Sequence, residues 1–159
     1  MVTGRRAQPK IGARLQSHMD AKIKSQFWTD PVIWYLPMQL KLAALWAITS
    51  SQTSLFGYVE IDPRQFRFET GCPLNALRKL CDAHPRGFMR AGSGYWIRRY
   101  IAHQIGTGNK LSKSKMGQRA ARHLCLYREH PVMNLVLEEY PELEKAVEQV
   151  LQRFNESSY

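Results

Sequence analysis

Residues 62–84 have the sequence DPRQFRFETGCPLNALRKLCDAH, which predicts two short helices joined by a tight turn. Asp62 can cap the first helix with its carboxylate, and Pro63 suits the first helical position. Gly71 suits the left-handed residue that ends a helix, and Pro73 suits the first turn of the next helix. Two short helices with such a turn between them are typical of a helix-turn-helix.

The second predicted helix, at about 73–84, has one apolar face and one polar face. The apolar face has a spacing of three and four residues and consists of Leu74, Leu77, Leu80 (or Cys81) and His84. The remaining positions should meet solvent or a ligand, and they are Asn75, Arg78, Lys79 and Asp82. A helix that reads DNA needs a polar, cationic outer face, and the second predicted helix has one.

The flanking sequence extends this pattern. Residues 57–61 are rich in β-branched and aromatic side chains and predict a strand. Residues 87–90 and 95–99 predict two further strands, and the glycine-rich residues 91–94 predict the turn of a hairpin between them. A helix at about 37–50 precedes all of these elements. The order helix, strand, helix, helix, strand, strand is that of a winged helix-turn-helix, with the hairpin as its wing.

The composition points to a polyanionic partner. The chain has 159 residues, a formal charge of +10 and a pI of about 9.8. Basic residues are in excess in 1–26 and 105–130, on both sides of the predicted winged helix, whereas 131–159 are acidic. DNA, duplex rather than single-stranded, is the expected partner.

Other classes of protein fit the sequence poorly. Three cysteines without paired spacing argue against a disulfide framework, and no apolar run approaches the length of about 18 residues that a membrane span needs. We therefore expect a cytoplasmic or nucleoid-associated protein. No nucleophile with its base, phosphate-binding loop or metal-ligand motif is evident, so we predict no enzymatic activity, no cofactor and no metal.

The chain divides by composition into four segments. We predict a basic, partly disordered arm at 1–26, the winged helix-turn-helix domain at 27–104, a flexible basic linker at 105–116 and a helical extension at 117–159. The predicted fold class is therefore mainly α (α+β). The aromatic run at 27–36 is expected to lie in the core.

The last predicted helix opens at Pro141 and carries an amphipathic stripe. The stripe consists of Leu143, Val147, Val150, Leu151 and Phe154. A helix of about 14 residues is marginal in water without support, so the stripe should be buried. Its own domain and a second subunit or partner are both possible covers for the region 141–154.

These residues resemble the winged-helix domain of phage replisome organisers, and DnaD-like primosome proteins have a similar domain. The resemblance is carried by Phe27-Trp28-Thr29-Asp30-Pro31, the following leucine-rich helix, Gly57-Tyr58-Val59, Phe66, Thr70-Gly71, Leu77, Tyr95-Trp96-Ile97 and Ile101-Ala102-His103-Gln104. It covers about residues 27–104, half of the chain. It implies DNA-associated work, often at replication initiation, without a catalytic centre, in a domain that can also self-associate.

The candidate DNA contacts lie on four parts of the predicted fold. They are Asn75, Arg78 and Lys79 on the second helix, Arg64 and Arg67 on the first, Arg90, Ser93, Arg98 and Arg99 on the wing, and Lys110, Lys113 and Lys115 in the linker. Asn and Arg can pair with adenine and guanine in the major groove, whereas the other contacts position the protein on phosphates.

Two alternatives stay open at this point. One is a DNA-binding transcriptional regulator with the same fold. The other is a winged helix that serves protein interaction or oligomerisation, which would show weak salt dependence of DNA binding and a stable oligomer without DNA.

Overall fold

The computed structural model describes residues 21–156, which are mainly helical and include a small three-stranded antiparallel sheet. The predicted α+β class is thereby confirmed. Most of the predicted basic arm, residues 1–20, lies outside the described residues. Between residues 21 and 156, none of the helices has both the length and the apolar content needed to cross a membrane.

The elements follow in chain order as α1 (Gln26–Thr29), α2 (Pro31–Tyr35), α3 (Met38–Thr49), β1 (Tyr58–Val59), α4 (Pro63–Thr70), α5 (Ala76–Ala83), β2 (Phe88–Ala91), β3 (Gly94–Ile97), α6 (Tyr100–Gln104), α7 (Gly108–Lys113), α8 (Lys115–Cys125), α9 (Val132–Glu139), a 3-10 turn (Pro141–Leu143) and α10 (Glu144–Glu156).

Side-chain caps define where α2 and α4 begin. Asp30 Oδ1 accepts a hydrogen bond of 2.8 Å from the Val32 amide at the start of α2. Asp62 Oδ1 accepts one of 2.9 Å from the Arg64 amide at the start of α4. Gly71, with φ of 64°, ends α4 in the left-handed conformation. The cap, start and end predicted for the first helix of the 62–84 region are confirmed.

The sheet has the strand order β1-β3-β2, and both pairings are antiparallel. Tyr58 pairs with Trp96 and Arg90 pairs with Tyr95. Gly92, with φ of 57°, lies in the two-residue turn between β2 and β3, where a left-handed residue matches the twist of the strands. The predicted hairpin is confirmed.

The sheet separates two apolar cores, because successive side chains of a strand point to opposite faces. Val59, Phe88 and Ile97 belong to one core, which also contains buried side chains of α2 to α5 and which we call the N-terminal core. Tyr58 and Trp96 belong to the other, which contains buried side chains of α6 to α10 and which we call the C-terminal core.

The aromatic run at 27–36 was predicted to be core, and this prediction was wrong for most of its rings. Trp28, Trp34 and Tyr35 are 51%, 64% and 83% exposed, and only Phe27 packs, half-buried, on the N-terminal core. Helices α1 and α2 together span only nine residues. Only one face of such short helices packs on the core, so the opposite face is exposed to solvent.

The prediction of a flexible linker at 105–116 was also wrong. This segment contains α7, and its Leu111 is fully buried in the C-terminal core. Gly106 and Gly108 have φ of 124° and 56°, so they form turns into the helix rather than a loose chain. Residues from both sides of the predicted boundary at 104 therefore share one core.

Two helical faces differ in detail from their predictions. The second helix of the 62–84 region begins at Ala76 rather than at Pro73, which leaves Leu74 before the helix and 42% exposed. The stripe of α10 is buried at Val147 and Val150 against α8 of the same chain, whereas Phe154 is 50% exposed. The described structure thus covers most of this stripe with its own chain.

Candidate nucleic-acid interface

Helix α5 presents cations to solvent because its apolar residues anchor the other face. Leu77 and Leu80 are buried in the N-terminal core, and α5 packs there on α3. Arg78 and Lys79 lie on the opposite side and are exposed. The sequence predicted this division correctly for Leu77, Leu80, Arg78 and Lys79, but not for Leu74 and Asn75, which precede the helix.

The hairpin brings a third cation beside α5. Arg90 on β2 stands opposite Tyr95 on β3 in the strand register. Burial raises the pKa of the Tyr95 hydroxyl, and the nearby charges of Arg90 and Arg78 both act to lower it. The two guanidinium groups therefore lie near one phenol, and we call Arg78, Arg90 and Tyr95 the Tyr95 cluster.

Two neighbouring groups modify the chemistry of this cluster. Asp82 acts against the two arginines by raising the pKa of Tyr95, so the local charge is reduced but stays positive. Burial, and then the charge of Asp82, raise the pKa of the Cys81 thiol to about 11, which leaves it protonated at neutral pH. The remaining positive charge suits an anion, and the protonated Cys81 thiol beside the cluster offers no ready nucleophile.

Tyr95 was missed by the sequence analysis, which treated it as a strand residue only. The alternation of side chains along β3 could have indicated Tyr95 as a site residue. Trp96 is 1% exposed, and Tyr95, on the other face of the strand, is half-buried. An aromatic ring between two arginines can stack on a sugar or base while the arginines bind phosphate.

Helix α4 adds two further cations. Arg64 and Arg67 are exposed, as predicted. The carboxylate of Glu69 on the same helix accepts hydrogen bonds from Trp46 Nε1 at 2.5 Å and Gln65 Nε2 at 2.7 Å. Since this carboxylate is held by neighbouring donors, it is a weaker competitor for the arginines.

Asn75 does not lie at a position from which its side chain could contact a base. It precedes the first residue of α5 and is half-buried, and its Oδ1 is buried without a hydrogen-bond partner among the described residues. A bidentate contact with adenine needs both ends of the amide at the surface. The predicted contact of Asn75 with a base is therefore not supported by its position.

The tip of the wing is folded back on the C-terminal part of the chain. A Cβ atom on Gly92 would lie 2.5 Å from His130 Nε2, and Tyr58 Oη is 3.2 Å from the same nitrogen. Ser93 Oγ donates a hydrogen bond of 2.7 Å to Glu60 Oε1. Ser93, predicted to contact DNA, is thus engaged by a carboxylate that would repel phosphate.

Arg98 is likewise engaged within the protein. Its Nη2 atom lies 2.9 Å from Glu139 Oε2 on α9, and its Nε donates to the same oxygen. The backbone N–H of Arg99 donates a hydrogen bond of 3.2 Å to Glu139 Oε1. Arg98, predicted to contact DNA, thus forms an ion pair with Glu139 of α9, whereas the Arg99 side chain is exposed.

A second basic surface lies on α7 and α8. Lys110 and Lys113 are exposed on α7 and Lys115 is exposed on α8. Arg119 and Arg122 follow Lys115 at four and seven residues, which places these three on one face of α8. The predicted cations are therefore presented by folded helices and not by a loose linker.

No family model matches this chain, and no curated protein or solved structure matches it either. The resemblance to phage replisome organisers stays a prediction from the residues that carry it.

Proposed function

We propose that this protein is a winged helix-turn-helix protein that binds duplex DNA through α5 and the β2–β3 hairpin, in the service of phage-type replication initiation. The order of elements from α3 to β3, with the sheet order β1-β3-β2, supports the winged helix. In that fold the second helix of the motif enters the major groove.

One observation carries the DNA-binding proposal. Arg78 on α5 and Arg90 on β2 come from elements separated in sequence, yet both lie near Tyr95, and Lys79 is exposed next to Arg78 in the chain. None of the three forms an ion pair with a carboxylate of residues 21–156. A surface with several unneutralised cations and one aromatic ring is suited to a phosphate backbone.

The test is the salt dependence of binding, measured by fluorescence anisotropy with a labelled duplex. If Arg64, Arg67, Arg78, Lys79 and Arg90 each neutralise one phosphate, the slope of log affinity against log salt should be about −4.5. Replacing both Arg78 and Arg90 by Gln should reduce its magnitude by about 1.8.

Two lysine variants, one on this surface and one away from it, provide the matched control. Lys79→Gln should reduce the slope by about 0.9, whereas Lys145→Gln on the acidic helix α10 should leave it unchanged. Equal effects of the two lysine variants would show that binding follows net charge rather than this surface. Arg78→Ala should cost about 1–3 kcal/mol on one sequence only if Arg78 contacts a base.

The assignment to replication initiation is supported by the resemblance of residues 27–104 alone. It predicts that loss of the protein halts incorporation of labelled thymidine before transcript levels change. The reverse order of events would favour the transcriptional regulator.

A second candidate function, self-association, is favoured by the exposed apolar side chains of α1 to α3. They are Trp28, Val32, Trp34, Tyr35, Met38 and Leu42, and we call them the aromatic surface. The exposed fractions of its three rings, 51%, 64% and 83%, amount to roughly 400 Å². A stable interface buries about 800 Å² on each partner, so these rings alone would supply half of it.

Self-association is tested by light scattering on the full chain. If the aromatic surface joins two copies, the double variant Trp34→Ala and Tyr35→Ala should shift the mass from dimer to monomer, because aromatic side chains dominate interface energies. Leu126→Ala, which truncates a side chain 39% exposed outside this surface, is the control. A monomeric wild-type protein would refute this candidate and leave DNA binding untouched.

A further inference from the structure

A cavity of about 180 Å³ lies between the segment before α1, the end of α3, the base of the hairpin and α6. It is open to solvent on one side. Neither the Tyr95 cluster nor the aromatic surface contributes a residue to its lining.

The inner wall of this cavity is apolar. It is formed by Ile33, Ile48, Phe88, Ile97 and Tyr100. Ile33, Phe88, Ile97 and Tyr100 are almost fully buried in the N-terminal core, and Tyr100 Oη is at the limiting distance of 3.5 Å from the Ile48 carbonyl oxygen. Such a wall gives water few partners, so a flat apolar group can replace water there at little cost.

The rim is cationic. Lys22, Lys24 and His103 line the opening, and among residues 21–156 Asp30 is the only acidic residue of the lining. One oxygen of Asp30 is already used, since Oδ1 caps α2. The charge of Arg98, which also lines the cavity, is offset by Glu139. The rim therefore keeps an excess of positive charge from the two lysines.

Lys24 and Arg99 are close enough to His103 to affect its protonation. Burial lowers the pKa of His103, and the charges of Lys24 and Arg99 lower it further. An anion bound between Lys24 and His103 would relieve this repulsion.

The lysine-bearing segment is fixed in place by α6. The Gln104 side chain accepts a hydrogen bond of 2.8 Å from the Lys22 amide and donates one of 2.9 Å to the Lys22 carbonyl. Both backbone groups of Lys22 are thus held by one side chain 82 positions away in sequence. The backbone of this part of the rim is therefore pre-organised, which reduces the entropy lost on binding.

We propose that this cavity binds a small organic anion, with a flat apolar body against Ile33, Phe88 and Ile97 and one phosphate or carboxylate head between Lys24 and His103. A free metabolite and the phosphorylated end of a DNA strand share this chemistry. The site is independent of the duplex-binding surface proposed above.

The first experiment uses three probes on the isotope-labelled full chain: phenyl phosphate, phenol and orthophosphate. Phenyl phosphate should shift the NMR methyl signals of Ile33 and Ile97 and should bind at least tenfold more tightly than either of its parts. Equal affinity for orthophosphate, or shifts confined to signals outside the cavity, would overturn the proposal.

Variants on the exposed rim separate binding from folding. Lys24→Gln should weaken phenyl phosphate about fivefold, as expected for one partly exposed ionic contact, and His103→Gln should do the same at a pH low enough to protonate the imidazole. Lys41→Gln, whose ammonium lies 5.9 Å from the centre of the Trp34 ring, is the control and should bind like the wild type. If Lys24→Gln and Lys41→Gln behave alike, the proposal fails.

The source of the ligand is distinguished with DNA. A 5′-phosphorylated oligonucleotide that binds more tightly than phenyl phosphate and shifts the same methyl signals would assign the cavity to a strand end. Weaker binding than phenyl phosphate would assign it to a free anion. Arg78→Gln should leave the affinities for phenyl phosphate and for the oligonucleotide at this cavity unchanged. The cavity proposal and the duplex-binding proposal can therefore fail independently.

Discussion

Replacing Leu111 by Ala tests whether α7 is an integral part of the fold. Leu111 is fully buried in the C-terminal core, and α7 packs against both α8 and the Pro141–Leu143 turn. The substitution removes three carbon atoms from a site without solvent. Loss of transfer free energy and the remaining cavity should together lower the free energy of unfolding by about 2–5 kcal/mol.

A second leucine provides the matched control. Leu126 follows the last residue of α8 and is 39% exposed, so Leu126→Ala removes the same atoms from a site that partly faces water. Scaling the transfer free energy of the lost groups by the buried fraction gives about 1.5 kcal/mol, without a cavity. Leu111→Ala should therefore be the more damaging of two chemically identical changes.

Urea unfolding followed by tryptophan fluorescence measures the difference. Leu111→Ala should move the midpoint to lower urea without changing the slope, and should lower the melting temperature by roughly 5–15 °C. If Leu111→Ala unfolds at the same urea concentration as the wild type, α7 is not docked. Residues 105–116 would then behave as the flexible linker that their composition first indicated.

Three further changes test other contacts. Gly117→Ala should destabilise the protein by more than 1 kcal/mol in urea, because the new Cβ would overlap the Leu111 carbonyl oxygen; unchanged stability would disprove that close approach. Glu139→Gln should lower the free energy of unfolding by about 1 kcal/mol and steepen the salt dependence of DNA binding, because it breaks a partly exposed ion pair and releases Arg98; a slope equal to that of the wild type would keep Arg98 away from DNA. Burial lowers the pKa of His123, so the unfolded chain takes up its proton at higher pH than the folded chain does, and stability should fall as the pH drops below about 6.5. His123→Gln should reduce this loss when urea midpoints at pH 7.5 and 5.5 are compared, and an equal loss would assign the pH dependence to other groups.

Local signals in the sequence were sufficient for the start and end of α4 and for the β2–β3 hairpin. Asp62 and Gly71 act through backbone geometry and hydrogen bonds to residues next to them, so their effects do not depend on the rest of the fold. The hairpin is similar, since Gly92 adopts the positive φ that a two-residue turn needs. These positions were predicted correctly because the relevant partners lie within four residues.

Burial and pairing across the chain could not be predicted in this way. The apolar character of Trp34 and Tyr35 indicates a buried position only if another element covers them, and none of the described elements does. Leu111 is buried although its segment was predicted to be a flexible linker. A single leucine among glycine, serine and lysine gives no periodic apolar pattern that would predict burial. The engagement of Arg98 depends on Glu139, which lies 41 residues further along the chain.

The sheet explains why the predicted boundary at residue 104 does not divide the fold. Each of its strands has apolar side chains on both faces: Val59 and Ile97 point to one core, and Tyr58 and Trp96 point to the other. A three-stranded sheet that ended the domain would have one polar face toward water. Here the second face is covered by α8 to α10, and the Trp96 indole N–H donates a hydrogen bond of 3.0 Å to the Phe56 carbonyl inside that core. The C-terminal helices therefore complete the core beneath the β2–β3 hairpin, and His130 and Glu139 in this part of the chain contact Tyr58 and Arg98.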